Sequence, residues 1–171
     1  MKIAVQVHPA EPSAQRLQYR WDADTDILSA QVLPASRAQG MSGSVGLQGS
    51  DGSWVILDVA SGAISGVEVA VWPEVRRVAT LPTPSAIEDV QVIVPARQSQ
   101  PNIASVEMNS RLFAESDSAQ RTFHFRLGKP RETRTVRVAR DLLLDLDDKS
   151  QISGLWLLNV PPGPEPVSDE L

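Results

Sequence analysis

The sequence predicts a mainly β protein: two related antiparallel β units, each a strand meander plus a hairpin, packed with pseudo-twofold symmetry. Three observations carry this. The stretch "VILDVASGAISGVEVAVWP", residues 55–73, recurs in diverged form as "LLLDLDDKSQISGLWLLNVP", residues 142–161. Short runs alternate apolar and polar residues with the period of half-buried strands, as where His124 and Arg126 interleave with Phe123, Phe125 and Leu127. No segment has the length and periodicity of an amphipathic helix.

In chain order, "MKIAVQVHP" opens with a short alternating run. "LQYRWDADTDILSAQV", Leu17 to Val32, reads as a strand pair around the acidic turn "DADTD". "SVGLQ" is a further strand, set off by the insertion "GSDGS". The first hairpin follows, turning at "VASGA", where Gly62 is placed to take a positive φ. Gly66 falls inside its second strand, the mark of a bulge or a close backbone approach. Pro73 lacks an N–H and stops the ladder.

The Pro-rich connection that follows contains one capping-box spacing, Ser85 to Glu88, which predicts a short helix, and then the strand "VQVIV". The second unit repeats the scheme. "RLFAESDSAQRTFHFRLG" is a strand pair turning at "ESDSAQ", and "TVRVA" precedes the second hairpin. That hairpin turns at "LDDKSQ", where Asp and Lys replace the missing Gly, and it carries Gly154 and Pro161 at the places of Gly66 and Pro73. The predicted organisation is a first repeat over 1–80, a connector over 81–104, a second repeat over 105–161 and a poorly ordered acidic, Pro-rich tail over 162–171.

The first unit resembles a small bacterial family, the domain of unknown function 2283. The resemblance rests on Trp21 and Asp22, then Asp26, Ile27 and Leu28, then Gly66, Val67, Glu68 and Val69. The second unit keeps "ISGLWLL", with Trp156 at the Glu position. The resemblance implies a tandem of one short antiparallel β domain in a bacterial protein, and it brings no catalytic residues.

Composition narrows function further. The chain of 171 residues has a net charge of -5, which disfavours nucleic acid and anionic membranes as partners. It has no cysteine, hence no disulfide and no thiolate chemistry. The N-terminus lacks the apolar stretch of a signal peptide or a spanning helix, so no membrane association is expected and the cytoplasm follows by elimination. No nucleophile, metal or phosphate-loop motif is present, and no cofactor is expected. His124 reads as an ordinary surface residue of an alternating strand. The four carboxylates of "DLLLDLDD", Asp141 to Asp148, read as a solvated turn, because a calcium loop would need a sharp-turn Gly.

Two features remain. Arg121, Arg126, Lys129, Arg131, Arg134, Arg137 and Arg140 form a basic stripe in an acidic chain, with Arg126, Lys129, Arg131, Arg134 and Arg137 the candidate anion-binding set. Strand "GLWLLNVP" is apolar on both faces, Leu155 and Leu157 on one and Trp156, Leu158 and Val160 on the other, with Trp72 on the matching face of the first copy. Such a strand belongs inside a packed assembly. The Trp156 face is expected to be buried between the repeats, or else against another protein or a second copy. The expected function is a non-enzymatic interaction or structural module; the alternative is a small-ligand or anion-binding β domain using the stripe Arg121 to Arg140.

Overall fold

The computed structural model describes residues 4–35, 38–40, 42–95 and 111–163. The strands are β1 (Gln6–Pro9), β2 (Arg16–Trp21), β3 (Leu28–Leu33), β4 (Gly43–Gln48), β5 (Trp54–Ala60), β6 (Ala63–Val71), β7 (Val75–Arg77), β8 (Ile87–Ile93), β9 (Leu112–Ser116), β10 (Phe123–Leu127), β11 (Arg134–Ala139), β12 (Leu142–Leu146) and β13 (Ile152–Leu157). Among the described residues there is no helix. The protein is mainly β, as the alternation requires.

The strands form two sheets. One has five strands in the order β2-β3-β6-β5-β4, and the other eight in the order β1-β8-β11-β12-β13-β10-β9-β7. Inside the larger sheet, the run β9-β10-β13-β12-β11 repeats the order of the smaller sheet strand for strand, and both runs are wholly antiparallel. Strands outside the two runs join the larger sheet at its ends. There β8 lies parallel to β11 and β7 lies parallel to β9, so the sheet is mixed where they join.

The short helix expected at Ser85 to Glu88 does not form. Glu88 lies in β8, which is hydrogen-bonded to β1 on one side and β11 on the other. Two tertiary ladders outweigh a local capping preference. Residues 96–104 of the expected connector and 164–171 of the expected tail lie outside the described residues.

Alternation sends one face of each sheet inward. Leu28, Ala30, Val55, Leu57, Val67 and Val69 from the smaller sheet share one continuous core with Phe123, Phe125, Leu142, Leu144, Leu155 and Leu157 from the larger. Trp72, just beyond β6, bridges the sheets. It stacks on Trp21 at 5.6 Å and meets Phe123 at 5.2 Å and Phe125 at 6.0 Å. Polar ties close the same end: Tyr19 donates its hydroxyl to the Leu158 carbonyl at 2.6 Å, and the Trp21 indole donates to Pro161 O at 3.0 Å.

The turns follow their chemistry. Ser61 and Gly62 have φ of 47° and 84°, the two-residue turn that matches strand twist. In the β12–β13 turn, Asp147 accepts the amides of Lys149 and Gln151, and Ser150 takes the left-handed position at φ 56°. Asp22 and Asp117 likewise accept backbone amides across the "DADTD" and "ESDSAQ" turns.

The Trp156 face needs correction. Trp156 is buried within the chain, but on the outer side of the larger sheet, while Leu155 and Leu157 meet the first unit. Strand β13 ends at Leu157 and Asn159 reverses the chain at φ 56°, which delivers Val160 into the same core cluster as Leu155 and Leu157. Leu158 is half-buried and works through its backbone, accepting from Tyr19 and donating to Asp141 O. Among the described residues, no helix is long and apolar enough to cross a membrane.

Candidate functional site

The inward course of Leu144 and Leu146 forces Asp145, between them, to the outer face of the larger sheet. Register then fixes its neighbours. One rung runs Thr135, Asp145, Gly154, Arg126, and the next runs Leu143, Trp156, His124. Asp145 and His124 therefore sit two strands apart, about 10 Å by sheet spacing. They still touch, His124 Nε2 lying 2.7 Å from Asp145 Oδ2. Gly154 is the reason. A Cβ there would lie 3.0 Å from Asp145 Oδ2 and 2.5 Å from the Phe125 carbonyl, so only glycine leaves the path open.

Asp145 is 5% exposed and is satisfied by donors on three strands. Thr135 Oγ1 donates at 2.9 Å, the Trp156 indole at 3.3 Å, and the His124 imidazole at the distance above. The imidazole also stacks flat on the indole, with centroids 4.0 Å apart and planes 13° from parallel. The hydroxyl, carboxylate and imidazole are connected in that order. The hydroxyl thus bonds the carboxylate rather than the imidazole, so the arrangement is not the relay that activates a serine or threonine nucleophile. It is a locked polar cluster.

Beside it lies a depression of about 220 Å³ bordered by His124, Arg126, Arg131, Thr133, Asp145 and Ser153. Of the candidate anion-binding set, Arg126 and Arg131 meet here. Arg126 also lies over the Phe113 ring at 4.7 Å and donates to Gly128 O at 3.2 Å. The others lie elsewhere: Arg134 pairs with Glu88 at 2.9 Å, Arg137 lies 3.8 Å from Asp89, and Lys129 is exposed in the turn beyond Gly128. Arg137 also donates to the Arg140 carbonyl.

The first unit carries the same floor. Its rungs run Ser44, Asp58, Gly66, Gln31 and Ile56, Glu68, Ser29. A Cβ on Gly66 would lie 2.8 Å from Ala30 O and 3.3 Å from Asp58 Oδ2. The ladders of both units slip by one residue immediately after the aspartate, at Asp58/Val59 and Asp145/Leu146.

His124, expected as an ordinary surface residue, is half-buried against Trp156, and Asp145, expected in a solvated turn, is buried within β12. Alternation assigns His124 to the outer face of its strand and says nothing of the Trp156 ring stacked against it. One signal was available: an aspartate and a glycine on successive strands, written twice. Compared with known proteins, the chain matches no family model and no curated protein.

Proposed function

We propose that the chain is a non-catalytic binding module, a tandem of one short β domain resembling the domain of unknown function 2283, that seats a small anion beside His124. The observation that carries this reading is the meeting of Arg126 and Arg131 at one depression, while Arg134 and Arg137 are drawn to Glu88 and Asp89. Asp145 is engaged by Thr135, Trp156 and His124, and among the described residues it forms no ion pair with Arg126 or Arg131. At about 220 Å³ the depression is below the usual range of organic-ligand pockets, roughly 300–1,000 Å³, and fits phosphate or a short carboxylate. Guanidinium forks match the oxygens of both.

Titration calorimetry with inorganic phosphate and with acetate tests it. Saturable binding is expected, weakened about tenfold or more in Arg131→Ala and unchanged in Arg134→Ala. Absence of saturation, or equal affinity in both variants, overturns the reading. A protein-interaction role has its own observation, the cross-strand pair Trp54 and Val71, exposed at 41% and 47%. Sedimentation of wild type against Trp54→Ser would reveal self-association through that pair as a loss of mass in the variant.

A further inference from the structure

The two units share a floor but furnish it differently. In the second, His124 reaches across Gly154 to Asp145 and lies flat on Trp156. In the first, Ser29 stands at the His124 position and Glu68 at the Trp156 position, by identical register to Gly66 and Asp58. A serine is too short to cross an intervening strand. Among the described residues Asp58 has no hydrogen-bonding or ionic partner. Where the second unit carries the imidazole and indole, the first has a depression of about 580 Å³ bordered by Ser29, Gln31, Asp58, Gly66 and Glu68.

We propose that the depression over Gly66 is a second binding site, and that its ligand is a guanidinium group placed where the second unit carries the His124 imidazole. The second unit shows what the seat takes: a planar nitrogen group, lying over the glycine, donating N–H to the aspartate. Here the indole that would stack on such a group is replaced by Glu68, a second acceptor on the diagonal from Asp58. Two acceptors call for a donor fork, which a guanidinium provides and an ammonium does not. Charge limits the ligand to a monocation. Arg20, opposite Ser29, flanks the depression, so one positive charge brings Asp58, Glu68 and Arg20 to neutrality. Desolvation raises the Asp58 carboxyl above the ordinary carboxylate value. This site is separate from the Arg126 and Arg131 depression, and it stands or falls independently of it.

The test is an amide NMR titration of the full chain with methylguanidinium, with methylammonium and with the tripeptide Gly-Arg-Gly. Saturable shifts are expected at Ser29, Gln31 and Gly66 with both guanidinium probes, and weaker ones with methylammonium. Tighter binding of the tripeptide assigns the site to an arginine side chain of a polypeptide, and equal binding assigns it to a free small molecule. Asp58→Asn should weaken binding about tenfold or more. Ser29→His should abolish it, because the new imidazole closes the seat as His124 does. Amide dispersion in the same spectra reports whether each variant is folded. Shifts that never saturate, or binding that survives both substitutions, overturn the proposal.

Discussion

Asp145 accepts three side-chain donors while itself only 5% exposed, and its removal leaves the buried Thr135 hydroxyl and Trp156 indole unsatisfied. Desolvated donors without acceptors carry a larger penalty than the net worth of the bonds they made. Asp145→Ala is therefore expected to destabilise the protein by about 3–5 kcal/mol, the scale for breaking one side of a buried pair. The joint replacement Asp145→Leu with His124→Leu should recover much of that loss, since neither charge nor imidazole donor then remains. Urea unfolding at neutral pH measures both. A loss below about 1 kcal/mol in Asp145→Ala would show that the cluster is solvated after all. The same residue explains why the surface reading of His124 failed. Period-two alternation assigns a face to a side chain, and the face of His124 was assigned correctly. What alternation omits is the lateral reach of side chains across a glycine.

Strand β13 shows how an element can be made to hold such a cluster. Its six residues are all buried, Leu155 and Leu157 against the first unit and Trp156 on the other side. Gly154 is the gap through which β12 and β10 communicate. Gly154→Ala would put a methyl group 2.5 Å from the Phe125 carbonyl, a backbone atom held in its ladder and unable to yield. Overpacking of this kind costs about 1–3 kcal/mol, a fall in Tm of roughly 2–12 °C for a chain of this size. Gly163→Ala, which among the described residues meets the Trp21 ring at an ordinary 3.8 Å, should melt as the wild type does. Equal melting of the two alanine variants would mean that the strands can part to admit a side chain. Both hairpins, both aspartate-led turns and the interior glycines were legible in the sequence because each is a local signal. The neighbours of β8 were not. "VQVIV" announces a strand, but its pairing with β1 and β11 depends on partners more than 80 residues before it and 48 after it in the chain, and no local preference encodes that.

At the scale of the whole molecule, one core spans both sheets, and the ring of Tyr19 packs against it with its hydroxyl tied to Leu158, just beyond the end of β13 in the other sheet. Burial, reinforced by the nearby Asp141 carboxylate, pushes the phenol well above its ordinary value of 10.0. The unfolded chain would thus release the Tyr19 proton near pH 10 while the folded chain still keeps it. Below that pH both states are protonated, and the contribution of the group is fully present. Above it the folded state binds more protons, so stability falls as pH rises, by up to about 1.4 kcal/mol per pH unit, until the folded phenol itself ionises. The chain has one tyrosine and no cysteine, so phenolate absorbance follows this single group. Tyr19→Phe should cost about 1 kcal/mol at neutral pH through the lost hydrogen bond, and its stability should decline less steeply above pH 10 than that of the wild type. A wild-type phenol that titrates near its ordinary value in the folded protein would mean that water reaches the junction of the two sheets. The junction is also where the Trp21 indole meets Pro161 and where the Leu17 amide donates to Asp141 at 3.2 Å. Loss of the Tyr19 tie should therefore loosen the second unit from the first at this end before either sheet loses its own ladders, and exchange of the Leu17 amide should rise in Tyr19→Phe ahead of that of Val67 in the centre of β6.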